Sequence, residues 1–312
     1  MSDLSVLVTG ASGLLGRAVC ARFLAAGWRV IRARARPGEG FISCDLRSSV
    51  DCTELVTSVR PTVVVHTAAE RKPDVCERDA AGTEALNVHA VYALGCAAAE
   101  VGAVFLHIST DYLWAGDKAP YLEEAPTCPL NEYGRQKRRA EHAALASHQL
   151  AIVLRVPVLY GPTTDLGESA VTTLAKSLLS RAPFSVDDWQ VRVPTFTPDI
   201  AATCLLLAEA ARAPGGPAGV FHFSAAQRFT RWSLVQAFAE ILKVDTAQVT
   251  RIQGPPPGAP RPFDCALECG KLQALGLAAP CTPFQEGARA VLSEAGALAE
   301  GGAVSEGALG GG

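Results

Sequence analysis

Apolar residues in this chain fall into short unbroken runs, each followed by a stretch in which they return every three or four positions. Residues 4–9 (LSVLVT) form a continuous β-prone run, and beyond GASGLLG the apolar positions Val19, Cys20, Phe23 and Leu24 carry a helical spacing up to Gly27. The unit reads strand, tight glycine turn, helix. Residues 28–31 supply a second strand and 52–59 a short helix. The run TVVVH at 62–66 is a third strand without alternation, as expected where helices cover both faces of a sheet. Helical stretches over 83–101 and 134–147 flank strands at 103–108 and 150–155. This repeated β-α order predicts an α/β fold built on a doubly wound parallel sheet.

After Tyr160-Gly161-Pro162 the alternation loosens. A helical segment near 168–180, a short strand near 190–193, a helix over 198–212, the run VFHFSA and a helix over 233–242 follow. The PPPGAPRP run at 255–262 reads as a loop, because consecutive prolines supply no hydrogen bonds to a helix or central strand. These patterns predict a nucleotide-binding domain over residues 1–160 and a smaller mixed α/β domain over 161–295, its elements interleaved with the first sheet. The glycine- and alanine-rich tail at 296–312 has little to bury and is expected to fray.

Composition narrows the function classes. Of 312 residues 49% are hydrophobic, 19% charged and 6% aromatic, so the core is aliphatic and alanine-rich. A formal charge of −3 offers no field for a nucleic-acid backbone or an anionic membrane surface, and a phosphate site has to be local. No apolar run approaches the length of a membrane span; the richest, around Leu205–Leu207, is stopped by Glu209. Ten cysteines without a secretory leader pattern read as free thiols in a reducing, cytoplasmic compartment. Cys265, Cys269 and Cys281 have no histidine between them, and no metal site is expected.

The glycine run places Gly10 at a sharp turn, Gly13 where a pyrophosphate can approach backbone N–H groups, and Gly16 where helix and strand pack closely. Thr9, Ser12, Leu14 and Leu15 belong to the same cradle. After the second strand, Arg32-Ala-Arg34-Ala-Arg36 offers no carboxylate for two ribose hydroxyls. A guanidinium here would pair with a 2′-phosphate, which favours NADP over NAD, with Arg34 and Arg36 as candidates and a solvated basic edge as the alternative. Asp45, followed by Leu46, is placed either to reach the adenine amino group or in a surface turn. Thr67, Ala68 and Ala69 follow the third strand and border the cofactor. His66 is either at that border or a hydrogen-bonded core histidine. Asn87 is a candidate local bridge, and Glu70, Arg71 and Lys72 form a polar loop at the crevice.

Tyr133 and Lys137 are four apart, hence one helical turn apart on one face. An ammonium nearby lowers the cost of forming a phenolate and can also hold the nicotinamide ribose. Thr110, at a strand end, can hold a substrate carbonyl oxygen while Tyr133 donates the proton.

The strings TGASGLLG, STDYLW, PLNEYGRQK, LRVPVLYG and PTFTPDIA resemble the extended short-chain dehydrogenase/reductase family, in its dTDP-4-dehydrorhamnose reductase branch. AERKPDVCE at 69–77, LNVHA at 86–90, ESAVTTL at 168–174 and DDWQVRVPT at 187–195, with GAPRP, are similar to the branch's non-catalytic regulatory β subunits of S-adenosylmethionine synthetase. The resemblance implies a Rossmann-like NADP-binding domain and a smaller domain that in reductases holds a nucleotide sugar. It implies that Gly10, Gly13 and Gly16 match the fingerprint, that Thr110, Tyr133 and Lys137 match the catalytic set, and that Arg155 and Pro157 of LRVPVLYG lie beside the cofactor. The regulatory subunits keep the same set, so the set alone does not establish turnover. The regulatory reading implies a partner, the catalytic subunit of S-adenosylmethionine synthetase. In those subunits a tail with aromatic and basic residues takes part in partner binding. Here no aromatic or basic residue follows Arg289, so another surface would hold the partner. The second class is an NADPH-dependent reductase of a 4-keto nucleotide sugar, and the third an NADP-binding structural or redox-sensing protein.

Overall fold

The computed structural model describes residues 4–298; most of the predicted tail lies outside the described residues. β1 (Ser5–Thr9), α1 (Leu14–Ala25), β2 (Arg29–Arg34), β3 (Ile42–Ser43), α2 (Ser49–Val59) and β4 (Val63–His66) form the first half of the main sheet. α3 (Pro73–Arg78) and α4 (Ala80–Glu84) follow, and one π-helical turn over Ala85–His89 leads into α5 (Ala90–Val101). β5 (Val104–Thr110), α6 (Glu132–Ser147) and β6 (Ile152–Val156) continue the alternation. Next come β7 (Leu159–Tyr160), α7 (Thr172–Ser180), β8 (Phe184–Asp187), β9 (Thr195–Phe196), α8 (Thr197–Ala211) and β10 (Gly219–His222). The described chain closes with α9 (Arg231–Leu242), β11 (Val249–Ile252), α10 (Gly270–Ala274) and α11 (Phe284–Glu294).

Seven parallel strands lie in the order β10-β6-β5-β4-β1-β2-β3, so the winding reverses between β1 and β4. Successive side chains of a strand point to opposite faces, and here both faces are apolar. Val6, Val8, Val63 and Val65 join the core containing α1 and α8, whereas Leu7 and Val64 join the one containing α2, α5 and α6. That double coverage explains the unbroken valine run. Each such valine or leucine, fully buried, contributes about 1.5–3 kcal/mol.

A third core gathers Tyr160, Leu174, Leu178, Phe238, Phe284 and Val291 among α7, α9 and α11, beside the two-stranded sheets β8–β11 and β7–β9. β10 returns from this half of the chain to pair with β6 in the main sheet.

Local expectations shift in four places. Trp28 bonds back to the Phe23 carbonyl and packs edge-on against its ring, closing α1 rather than opening β2. The stretch over 83–101 is one helical path interrupted by the π turn. Residues 190–193 form no ladder, only isolated bridges at Val191 and Arg192; the strand lies earlier, at Phe184–Asp187. α7 starts at Thr172, because Ser169 accepts from the Val171 amide and bonds the Leu159 carbonyl, holding the preceding chain off the helix. Among the described residues no helix is long and apolar enough to cross a membrane, and no cluster of His, Cys, Asp and Glu could hold a metal.

Candidate functional site

Where neighbouring strands wind in opposite directions, the loops leaving their C-terminal ends diverge and open a crevice. Here those loops follow β1 and β4. Gly10 adopts φ 70° and sits so close to the second loop that a Cβ would lie 2.8 Å from the Ala68 nitrogen, and a Cβ on Gly16 would overlap the Gly10 carbonyl oxygen. Any other residue would push loop, helix and strand apart. Gly13 is the N-cap of α1, with no side-chain cap and no acid in the first turn, so the positive end of the helix dipole is left to the crevice. Ser12 and Gly13 are exposed, Leu14 is partly exposed, and the buried Leu15 brings only its backbone. Thr67 donates to the Thr9 carbonyl at 2.8 Å and, with Ala68 and Ala69, lines the second loop as a partly exposed wall. This cradle of small residues at a helix N-terminus, with the Arg17 guanidinium on the Ser12 carbonyl at 2.8 Å, fits the pyrophosphate of a dinucleotide.

At the opposite wall, Asn131 caps α6 by accepting from the Gly134 amide at 2.9 Å, and its own amide bonds the Pro260 carbonyl. The cap sets Tyr133 and Lys137 one turn apart. Tyr133 lies near Thr110 at the end of β5, whose hydroxyl accepts from the Tyr112 amide at 3.2 Å, and the Tyr133 ring packs edge-on to Tyr112 at 5.9 Å. Burial lifts the Tyr133 phenol above its ordinary range, against the opposing pull of the Thr110 contact. The phenol is therefore protonated at neutrality and can donate to a developing oxyanion. Lys137 is buried beneath it, its Nζ donating to the Ile108 carbonyl at 2.7 Å and lying 3.0 Å from His107 Nε2. Burial pulls its amine down to about 8, opposed by the Glu141 carboxylate. Asp111, next to Thr110, is lifted to about 6 by burial, opposed by the charge of Arg192.

A model of the RmlD substrate binding domain matches residues 4–296. The chain belongs to the RmlD family. It is 38% identical over 288 residues to methionine adenosyltransferase 2 subunit beta of Xenopus tropicalis, covering 91% of this chain and 85% of that protein. It is 31% identical over 234 residues to dTDP-4-dehydrorhamnose reductase of Burkholderia thailandensis, covering 73% of this chain and 75% of that protein. The crystal structure of dTDP-4-dehydrorhamnose reductase from Bacillus anthracis in complex with NADP shares the fold, with a TM-score of 0.80 at 21% identity over 94% of this chain and 99% of that one. The extended short-chain dehydrogenase/reductase architecture is thereby shown.

Several motif residues of this RmlD-family chain do other work than expected. Arg155 does not bring its guanidinium to the crevice. It is buried in a bidentate pair with Glu141 at 2.7 and 2.9 Å and also bonds the Glu123 carbonyl and His222, because its register on β6 points it under α6. Pro157 is buried just beyond β6. His66 is a core histidine, its Nδ1 2.7 Å from Thr9 Oγ1, with burial and then the Lys137 charge lowering it to about 3. Asn87 ties the second loop to α6, accepting from the Glu70 amide and donating to the Glu70 carbonyl and Gln136. Arg34 folds back on the Arg36 and Pro37 carbonyls across the Phe41 ring, leaving Arg36 exposed at the sheet edge. Asp45 is held by Arg47 and lowered to about 2 by that contact, and the neighbouring Leu46 is buried.

Other residues at the crevice lie within or beside the family strings, but the sequence assigned them no role there. The Tyr112 hydroxyl receives bonds from Arg192 at 3.0 Å and Gln190 at 3.3 Å. Glu168 spans both walls: its carboxylate takes Arg17 of α1 at 2.6 and 2.8 Å, and its carbonyl takes Arg71 of the second loop. His107 is a polar residue inside an apolar strand, VFLHIST, and that irregularity was its one local signal.

Proposed function

We propose that this protein is an NADP-binding regulatory subunit of S-adenosylmethionine synthetase that binds and modulates the catalytic subunit in the cytoplasm. The observation that carries the reading is the 38% identity to a methionine adenosyltransferase 2 β subunit over nine-tenths of the chain, against 31% over 73% for the reductase. Gly10, Gly13 and Gly16 would receive the pyrophosphate on the N-terminus of α1, and an arginine after β2 the 2′-phosphate. The NADP complex of the fold relative from Bacillus anthracis supports a dinucleotide cofactor in general, and the choice of NADP rests on the arginines after β2. Mixing the protein with the methionine adenosyltransferase 2 catalytic subunit at micromolar concentration tests the reading. A stable complex on gel filtration is expected, and its absence contradicts the assignment.

The arrangement of Thr110, Tyr133 and Lys137 favours a second reading, an NADPH-dependent reductase of a 4-keto nucleotide sugar. A nicotinamide cofactor supplies a hydride when bound; Thr110 would hold the carbonyl oxygen and Tyr133 would deliver the proton. This reading requires NADPH oxidation that depends on dTDP-4-dehydrorhamnose and is lost in Tyr133→Phe.

A further inference from the structure

Thr9 on β1, His66 on β4 and His107 on β5 are successive register partners, so their side chains form one row on the face toward α6. Thr9 bonds His66 Nδ1, the two imidazoles stack with centroids 5.3 Å apart, and Lys137 closes the row at His107 Nε2. The far nitrogens, His66 Nε2 and His107 Nδ1, are buried with no partner among the described residues. Buried polar atoms are ordinarily satisfied, so these two nitrogens set the row apart from a saturated cluster.

We propose that His107 is the positioning residue for Lys137, holding its amine against β5 in both of its charge states so that one N–H is always left for the crevice. This rests on the dinucleotide reading above for its consequence, though not for its geometry. An ammonium has three N–H donors: the Ile108 carbonyl takes one and His107 Nε2 a second, and the third is left over. A neutral amine has two donors and a lone pair. His107 then serves it by donating from Nε2, and since Nδ1 has no partner among the described residues, either tautomer fits the same ring position. A carbonyl or a carboxylate in place of His107 would take the second N–H of the neutral amine as well and leave none for the crevice.

The groups facing Lys137 are few. They are His107 on β5, His66 behind it on β4, Tyr133 and Glu141 on its own helix, Arg155 of β6 paired to that Glu141, and Asp111 beyond Thr110. Burial holds both histidines well below their ordinary range, so they stay neutral as Lys137 titrates near pH 8.

The test follows the 13Cε resonance of Lys137 in lysine-labelled full-length protein through a pH titration, with Lys137→Met assigning the signal among six lysines. In His107→Leu the ammonium loses a charge-assisted acceptor, a stronger bond than the one the neutral amine loses, so the midpoint falls by about one pH unit. His107→Gln, whose amide both donates and accepts, restores the midpoint to within about half a unit. Should His107→Leu not fold, His107→Asn, whose shorter amide cannot reach Nζ, carries the same expected fall. NADPH affinity is followed in the same proteins between pH 6 and 9, and its pH break should move with the lysine midpoint. An unchanged midpoint in His107→Leu or His107→Asn overturns the proposal. A shifted midpoint in a protein that binds no NADPH upholds the positioning role and overturns the dinucleotide reading instead.

Discussion

Ser109, Arg155 and His222 make a second polar row on the same face of the sheet as Thr9, His66 and His107, across β5, β6 and β10 instead of β1, β4 and β5. Helix α6 supplies an ionisable residue to each, Glu141 to the one and Lys137 to the other, one turn apart. In the Arg155 row every polar atom is engaged: Ser109 and Arg155 both bond Glu141, and His222 is held between Arg155 and the Glu268 carbonyl. In the His107 row two imidazole nitrogens have no partner among the described residues and the lysine keeps a spare N–H. Equal burial therefore marks two roles. A saturated ionic cluster fixes the packing of α6 on the sheet, and an unsaturated one beneath Tyr133 leaves hydrogen-bonding capacity for a ligand.

Breaking the saturated row should have the largest effect. Glu141→Leu strands a buried guanidinium and should cost about 3–5 kcal/mol, read as a fall in the urea midpoint. Lys137→Met should act in the opposite direction. The folded-state value of this lysine, about 8, lies below its ordinary 10.5, so its contribution to stability is present above the unfolded value and lost as pH falls through 8. Removing the amine should accordingly stabilise the protein by about 2 kcal/mol at pH 6, after discounting the hydrogen bonds lost, and the gain should vanish by about pH 10. Urea midpoints of variant and parent at the two pH values check this; a loss at pH 6 would make the lysine an ordinary structural anchor. The smallest effect is expected from Glu168→Gln. Its pair with Arg17 is partly exposed and should contribute under about 1 kcal/mol to stability. Because Glu168 spans the crevice, stopped-flow dilution should show NADPH leaving the variant about threefold faster, about 0.65 kcal/mol in rate terms.

Much of the framework was legible in the sequence because it is written locally. Valine runs without alternation announce a sheet covered on both faces, a glycine triplet between strand and helix marks the crevice, and Tyr133 and Lys137 share a helix face by spacing alone. Thr110 at the end of a strand completed that group. The rows were not legible, because register between distant strands decides which of His66, His107, Ser109 and Arg155 become neighbours. The same cause misplaced Arg155: its motif pointed to the cofactor, while its register on β6 turned its guanidinium toward Glu141. The expected strand at 190–193 failed for a related reason. Its residues are β-prone, but Val191 bridges Asp264 and Arg192 bridges Phe229, and neither contact extends into a ladder.

Everything proposed for this crevice depends on its holding, between β1 and β4, a phosphorylated nicotinamide dinucleotide. Calorimetric titration of the protein with NADPH and, separately, NADH addresses it most directly. A saturable heat is expected for NADPH at about micromolar affinity or better, and binding at least about tenfold weaker for NADH, which lacks the phosphate an arginine would pair with. Equal affinities would contradict the arginine assignment. No heat with either nucleotide would contradict the site itself.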